Sequence, residues 1–288
     1  MTYHVPTRLR PVRRTPTHRT PIDRLLDQVL GDADAPPVAR THRFGHDDDH
    51  DHGDATDGED VLARFREQAE ALHERVVHDH GVFVAEFLGA TGGGKTTLIE
   101  RLIERAPDDE RIGVVVGDVA GDDDASRFRD HGVAVANVTT GKECHLDPNL
   151  LGDAVEEFDL AELDRLYVEN VGNMVCPADF PLGAQARVLV VSTTEGDDVV
   201  RKHPLLFEAC DAAVVNKTDV AAAVGADVAT MRADVAELDP EMPVFETNAR
   251  DDEGVDALAD RLAAVREDGH SHDRHGGDSP TSDHAHQH

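Results

Sequence analysis

Hydrophobic positions in the middle of the chain follow two different periodicities. From Val61 to Val76 apolar residues recur every three to four positions, which predicts an amphipathic helix over residues 60–79. Short apolar runs then predict seven buried strands, over residues 82–88, 111–117, 133–138, 164–169, 186–193, 212–216 and 243–247. Helical patterns lie between them, over residues 95–106, 123–131, 198–209, 227–238 and 254–266. This alternation predicts an α/β fold with a mainly parallel sheet covered by helices on both faces.

The two ends of the chain differ in composition from this middle part. Residues 1–58 are rich in Pro, Arg, Asp and His, and residues 268–288 are similarly polar. Their single apolar patch, at 22–30, could form a transient helix, but the remainder cannot bury enough surface to offset the entropy lost on ordering. We therefore predict disordered tails around one ordered domain over residues 59–267.

Histidine is concentrated in these predicted tails, in two tracts that together hold ten of the 18 histidines. His42, His46, His50 and His52 form a tract near the front, and the last residues form another. Histidine-rich tracts are typical of weak nickel binding, whereas a merely solvated polar tail is the alternative. The C-terminal tract is interrupted by other residues, unlike a purification tag, which favours native metal buffering.

Charge sets further limits on function. The chain has 59 acidic and 28 basic residues, only four of them lysines, and a net charge of −31. This bias is similar to that of halophilic proteins, in which molar salt screens self-repulsion, although an ordinary acidic protein is the alternative. Such a negative field argues against binding to nucleic acid or to anionic membranes. Three cysteines exclude a disulfide framework, and the absence of a signal peptide or long apolar stretch predicts a cytoplasmic protein.

The strongest motif directly follows the first predicted strand. Residues 89–96 read GATGGGKT, the G-x4-G-K-T pattern of a P-loop. Its glycines bring amide N–H groups close to phosphate, and the following helix directs its positive end at the same anion. Lys95 would reach the β and γ phosphates and the Thr96 hydroxyl would hold Mg²⁺. We assign to nucleotide binding Gly89, Gly92, Gly93, Gly94, Lys95, Thr96 and Thr97.

A second motif predicts the base. Residues 212–220 read AAVVNKTDV, an apolar strand that ends in Asn216, Lys217 and Asp219. The Asp219 carboxylate can accept hydrogen bonds from guanine N1–H and N2–H₂, a pair that adenine does not offer. Asn216 would read the other edge, the Lys217 stem would pack along the base, and the Ala249 backbone N–H would meet O6. The nucleotide is therefore predicted to be GTP.

Acidic residues follow two other predicted strands. Asp118 lies just past the second strand, and Glu169 ends the fourth. Carboxylates at this edge of a parallel sheet typically hold Mg²⁺, directly or through water, or orient the attacking water. We assign catalytic roles to Lys95, Asp118 and Glu169, with Thr96 and Asp118 as the magnesium ligands.

The cysteines provide a different candidate site. Cys144 and His145 are adjacent on the loop after the third strand, and Cys176 lies seven residues past Glu169. Spacing alone leaves a metal site and inert thiols equally open. Partial ligand sets from two subunits could complete one site in a symmetric dimer, and thiolate with imidazole suits both Ni²⁺ and Zn²⁺. Cys210 lies in an apolar segment and is predicted to be in the core.

Several motifs together resemble one known family. In order they are the P-loop, VGDVAGDDDASR, TTGKECHLD, ENVGNMVCPA, TEGDD and NKTD. Over about residues 60–266 this order is similar to that of the HypB family of hydrogenase nickel-incorporation GTPases. The resemblance implies a GTP-dependent homodimer with nickel or zinc bound by Cys144, His145 and Cys176 at its interface. GTP turnover is expected to be slow, because no arginine finger can be assigned from the sequence. It also implies delivery of nickel to the large subunit of [NiFe]-hydrogenase, with a small zinc-containing accessory protein as partner.

The resemblance leaves alternatives open. The chain has no cysteine before Cys144, so we expect it to lack the C-x-x-C-G-C motif found at the N-terminus of some members. The sister family of urease accessory GTPases has a Cys-Pro-His metal motif, whereas Cys144-His145 without proline favours the hydrogenase client. A nickel-storage protein that acts through its histidine tails is a further alternative, and a P-loop kinase for a small metabolite is disfavoured by the NKTD motif.

Overall fold

The computed structural model describes residues 55–118, 121–140, 145–176 and 180–275. The apolar patch at 22–30 and the histidine tract at 42–52 lie outside these described residues. The first helix begins at Ala55 and the last ends at His275. Helix therefore extends into both segments that composition assigned to tails, since adding a residue to an existing helix is far easier than starting one.

The sheet has seven strands, and all six pairings between neighbours are parallel. They are β1 Phe83–Leu88, β2 Ile112–Asp118, β3 Ala134–Thr139, β4 Arg165–Glu169, β5 Ala186–Ser192, β6 Ala212–Asn216 and β7 Val244–Glu246. Their order across the sheet is β3-β2-β4-β1-β5-β6-β7. The predicted parallel α/β fold is confirmed, and each predicted strand end lies within one residue of the observed one.

Nine α-helices lie in the described ranges: α1 Ala55–His73, α2 Lys95–Glu104, α3 Asp123–Asp130, α4 Pro148–Val155, α5 Val199–Lys202, α6 Pro204–Glu208, α7 Ala221–Val224, α8 Val228–Leu238 and α9 Val255–His275. A π-helical segment, Glu74–Asp79, continues α1. The helix predicted over 198–209 is divided in two because Pro204 cannot donate a helical hydrogen bond. Helix α4 was not predicted, although Asp147 caps its N-terminus and proline fills its first position.

Hydrophobic clusters cover both faces of the sheet. Leu98 of α2 and Leu258 of α9 pack in one cluster, Leu151 of α4 in a second, and Met231 of α8 in a third. The five inner strands are buried on both faces and have nearly unbroken apolar runs, which explains why they were recognisable in the sequence. None of the helices in the described part of the chain combines the length and apolar character that spanning a bilayer demands.

The sheet positions the candidate site by its strand order. β1 lies between β4 and β5. Strands β2, β3 and β4 lie on one side of β1, and strands β5, β6 and β7 lie on the other. In open parallel sheets such a reversal creates a crevice at the carboxyl ends of the strands, where ligands bind. The P-loop follows β1 at this point.

Candidate functional site

The loop between β1 and α2 has the backbone geometry that phosphate binding requires. Gly89, Gly92 and Gly94 have φ values of 138°, 79° and 103°, a region that side chains disfavour. A Cβ on Gly89 would lie 2.0 Å from the carbonyl oxygen of Val190, and one on Gly94 would lie 2.2 Å from Asn216 Nδ2. Glycine is therefore required at both positions by backbone conformation and by close packing.

Lys95 and Glu169 meet at the start of α2. Lys95 Nζ donates to the carbonyl oxygens of Gly89 and Ala90 at 3.1 and 3.2 Å, and lies 4.0 Å from Glu169 Oε1. The Thr96 hydroxyl donates to the same Glu169 oxygen at 2.9 Å. Burial raises the pKa of Glu169 from 4.5 to about 7 and lowers the pKa of Lys95, while their mutual attraction opposes both changes. Perturbed groups in a crevice are typical of a functional site.

These residues fit a magnesium ion. Glu169 Oε2 is buried and has no hydrogen-bond partner among the described residues, so one carboxylate oxygen is available for a ligand. Thr96 adds a hydroxyl oxygen, and Asp118 lies half-buried at the end of β2, next to β4 in the sheet. Hard oxygen ligands suit Mg²⁺, which would supply charge neutralisation on the phosphates.

The raised pKa of Glu169 predicts a pH-dependent cost to the fold. A carboxyl with a folded pKa near 7 and an unfolded pKa of 4.5 holds its proton more tightly when folded. Its stabilising contribution is therefore full below pH 4.5, declines as pH rises from 4.5 to about 7, and is lost above that. In the metal-free protein, the unfolding free energy of Glu169→Gln minus that of wild type should therefore rise by about 3 kcal/mol between pH 4.5 and pH 8. Urea titrations at a series of pH values measure this difference.

Glu237→Gln is the matched control, because Glu237 is exposed on α8. It removes one carboxylate from the chain without touching the crevice. A wild-type-to-E169Q difference that stays constant from pH 4.5 to 8 would contradict the assignment of a buried, perturbed carboxyl.

The guanine-binding motif is tied to the P-loop by Asn216. Its Nδ2 donates to the carbonyl oxygen of Gly93 at 3.0 Å, and its Oδ1 accepts from the Thr247 hydroxyl and the Ala249 N–H at 3.0 and 3.1 Å. The base contacts predicted for Asn216 and the Ala249 N–H stay predictions. Asn216 is 2% exposed, and these bonds join the loop after β6 to the P-loop and to the loop after β7.

The other two residues of the motif are more accessible. Lys217 has φ 59° and its Nζ donates to the carbonyl oxygen of Gly92 at 2.5 Å, so its stem extends towards the P-loop. Asp219 is exposed after β6 and can present its carboxylate to a base. The structure thus brings the phosphate-binding and base-binding motifs to one edge of the sheet.

Two of the predicted nickel or zinc ligands, His145 and Cys176, lie in segments that the structure describes. Cys144 lies outside the described residues, as do His42, His46, His50 and His52. His145 is half-buried and stacks on the ring of Phe180, with centroids 3.8 Å apart, and Phe180 comes four residues after half-buried Cys176. No cluster of three or more metal-ligating side chains occurs within the described ranges. Cys210 is 5% exposed in the core, as predicted, and burial raises the pKa of its thiol to about 12.

The segment that leads to Cys176 touches the P-loop directly. Thr91 Oγ1 donates to the carbonyl oxygen of Gly172 at 3.3 Å, and Gly89 forms an isolated bridge with Asn173. A Cβ on Gly172 would lie 2.1 Å from Thr91 Oγ1, so only glycine permits this approach. A rearrangement of the P-loop would therefore be felt within a few residues of Cys176.

Sequence reasoning missed two polar groups near the crevice. Arg127 of α3 donates to the Thr97 hydroxyl at 2.9 Å, and Glu195 forms a capping box with Ser192 close to Gly93. A capping-box pattern could have identified Glu195, but nothing local marks Arg127. Asp122 occupies the N-cap position of α3 without a capping hydrogen bond. Its carboxylate instead accepts from α3 and β3 side chains.

Comparison with known proteins agrees with this geometry. Residues 83–246 match the family model described as "CobW/HypB/UreG, nucleotide-binding domain". A probable hydrogenase maturation factor HypB from Methanocaldococcus jannaschii is 44% identical over 199 residues, which are 69% of this chain and 90% of that protein. A hydrogenase/urease maturation factor HypB from Helicobacter pylori is 34% identical, covering 69% of this chain and 82% of its own length.

Two solved structures are similar to the described fold. The hydrogenase maturation factor HypB from Archaeoglobus fulgidus has a TM-score of 0.66 and 41% identity, covering 71% of this chain and 99% of its own. HypB from Helicobacter pylori, in complex with nickel, has a TM-score of 0.67 and 32% identity, covering 71% of this chain and 96% of its own.

Proposed function

The chain belongs to the CobW/HypB/UreG family and, within it, to the HypB hydrogenase maturation GTPases, and from this premise we propose that it hydrolyses GTP to control nickel delivery. The nickel would pass to the large subunit of [NiFe]-hydrogenase, with a small zinc-containing accessory protein as partner. The metal would be bound by Cys144, His145 and Cys176 in a GTP-dependent homodimer.

The main support for this proposal is a contact between the P-loop and the segment that carries a proposed metal ligand. The P-loop and the segment leading to Cys176 pack against each other through Thr91 and Gly172, at a distance that admits no side chain at Gly172. A metal-binding segment that rests on a nucleotide-binding loop has a direct route for one ligand to affect the other. By linkage, if GTP changes the affinity for nickel, nickel must change the affinity for GTP by the same factor.

The proposed mechanism assigns the residues as follows. Lys95 and the loop amides bind the phosphates, Asp219 selects guanine, and Glu169 with Asp118 positions the ion or the attacking water. Bound GTP would order the loops after β2 to β4 and favour the dimer. Hydrolysis would relax those loops and lower the affinity for nickel.

A dimer accounts for the ligand arrangement. Adjacent Cys144 and His145 cannot comfortably chelate one ion together, whereas two chains related by a two-fold axis can each contribute part of a set. Val175, beside Cys176, exposes 63% of its surface, and an exposed apolar side chain next to a proposed metal ligand supports an interface there.

Urease is a second possible client. The Helicobacter pylori relative is named as a hydrogenase/urease maturation factor, so one protein of this kind is assigned to both. Deleting the gene and measuring hydrogenase and urease activities with and without added nickel separates the two clients.

The decisive experiment titrates nickel and zinc into the protein in molar KCl, with GDP or a non-hydrolysable GTP analogue. The nickel–thiolate absorption band counts cysteine-bound metal separately from histidine-bound metal, and sedimentation of the same samples reports the dimer. We expect cysteine-bound nickel to accompany dimerisation in the GTP state, and Cys144→Ala to abolish the band. Cys210→Ala is the control, because Cys210 is in the core.

Two results would overturn the proposal. Equal nickel affinity with GDP and with the GTP analogue would remove nucleotide control of delivery. A band of unchanged intensity in Cys144→Ala would show that Cys144 is not a ligand.

A further inference from the structure

Asn170 holds together the two segments that carry the proposed metal ligands. Its side-chain Oδ1 accepts from the backbone N–H of Leu146 at 3.0 Å and from that of Val171 at 2.8 Å. Leu146 directly follows His145, and Val171 begins the stretch that leads to Cys176. One buried amide oxygen, on a residue only 1% exposed, therefore fixes the position of both segments.

The nitrogen of the Asn170 side-chain amide also has a buried hydrogen-bond partner. Its Nδ2 donates to Glu86 Oε1 at 2.7 Å, and Glu86 is fully buried in β1. Arg187 of β5 forms an ion pair with the second Glu86 oxygen at 2.9 Å. A buried carboxylate that lost either partner would be strongly destabilised, so Asn170 has a single favourable orientation.

Asn170 is also the neighbour of the nucleotide-facing carboxylate. Glu169 accepts from Thr96 and lies near Lys95, at the start of the P-loop helix. Side chains of consecutive residues at a strand end point to opposite faces, so Glu169 faces the phosphate site while Asn170 faces the metal-ligand segments. A shift of the backbone here moves both side chains together.

Leu146 is packed against the magnesium side as well. It is fully buried, and a Cβ on Gly117 would lie 2.7 Å from Leu146 Cγ. Gly117 directly precedes Asp118, the other candidate magnesium ligand. The residue after His145 is thus bonded to Asn170, next to Glu169, and packed on the strand end that carries Asp118.

We propose that Asn170 is the positioning residue that transmits the nucleotide state to the metal site. This inference rests on the proposed function and names the contact through which its coupling acts. When Glu169 changes its partners on nucleotide binding, Asn170 moves with it, and its hydrogen bonds to Leu146 and Val171 carry the displacement to His145 and Cys176.

The test compares the nickel affinity ratio between the two nucleotide states in wild type and Asn170→Ala. It uses the full chain, nickel ions, and the nickel–thiolate band as the readout. We expect a wild-type ratio of about 5- to 150-fold, in the usual range of coupling, and a ratio near ~1 in Asn170→Ala with GTP still bound. A merely structural role would weaken nickel binding in both states and leave the ratio unchanged.

Asn149→Ala is the matched control, because Asn149 is exposed on α4 in the same region and should keep the wild-type ratio. An unchanged ratio in Asn170→Ala would overturn this inference and leave the proposed function intact. A wild-type ratio near ~1 would instead remove nucleotide control itself, and the inference with it.

A second measurement uses only the wild-type chain, so it does not depend on whether Asn170→Ala folds. Hydrogen exchange of the Leu146 amide in the wild-type chain should differ between GDP and the GTP analogue, because Asn170 Oδ1 protects that amide. Identical exchange of Leu146 in the two states would overturn the inference, whatever the behaviour of Asn170→Ala.

Discussion

Replacing Lys95 with alanine should lower kcat for GTP hydrolysis by about 10²- to 10³-fold, the usual cost of removing one preorganised charge from a phosphoryl-transfer site. Lys95 is 5% exposed, and its ammonium lies at the P-loop carbonyls and near Glu169. In that buried position its attraction to phosphate is weakly screened by water. Steady-state phosphate release, with nucleotide affinity measured separately, gives the size of the loss.

Lys202→Ala is the appropriate control for this change. Lys202 is exposed on α5, where it forms an ion pair with Asp198 within one helical turn. We expect its hydrolysis rate to remain within about twofold of wild type, since such surface pairs contribute little. Hydrolysis in Lys95→Ala at the wild-type rate would show that the P-loop is not the catalytic phosphate site.

Asp219→Asn should change the base preference from guanine towards xanthine. The carboxylate loses its role as acceptor of two guanine hydrogen bonds, and two charge-assisted bonds correspond to about 10²- to 10⁴-fold in affinity. The asparagine amide can donate to the C2 carbonyl that xanthine has in place of the amino group. Competition of GTP and XTP for a fluorescent GDP analogue measures the change.

The matched control for Asp219→Asn is Asp260→Asn, because Asp260 is exposed on α9. It removes the same charge from the chain and should leave the preference for GTP intact. If Asp219→Asn still preferred GTP by the wild-type factor, Asp219 would not contact the base, and the NKTD motif would have only a structural role.

The sequence predicted the strands well because burial on both faces leaves a simple signature. In β5 and β6 every residue is buried, so the runs are almost purely apolar. Helix prediction was weaker where local chemistry competed with periodicity. Pro204 divides one predicted helix, and α4 was missed because it is short, although its Asp147 cap is visible in the sequence.

In the candidate site too, residues with local sequence patterns were recognised, whereas roles that depend on distant contacts were not. The P-loop residues lie next to one another in the chain and bind the same phosphates, so their spacing alone identifies them. Asn216 was recognised as part of the guanine motif, but its hydrogen bonds within the protein were not predicted, since its partners Gly93 and Thr247 lie 123 and 31 residues away. Asn170 lies in the quoted ENVGNMVCPA motif but was given no role, because its partners Glu86 and Leu146 lie 84 and 24 residues away.

By itself the sequence determined the alternation of strands and helices, the phosphate-binding loop and the guanine motif, since each depends on contacts within a few residues of chain. The tertiary structure alone decided which strands are neighbours, and so brought Glu169 to Thr96 and Asn170 to Leu146. Period-2 alternation assigns consecutive side chains to opposite faces of a sheet, but it cannot say what lies on each face. That follows from strand order, which placed the phosphate loop on one side of the Glu169–Asn170 pair and the segments with the proposed metal ligands on the other.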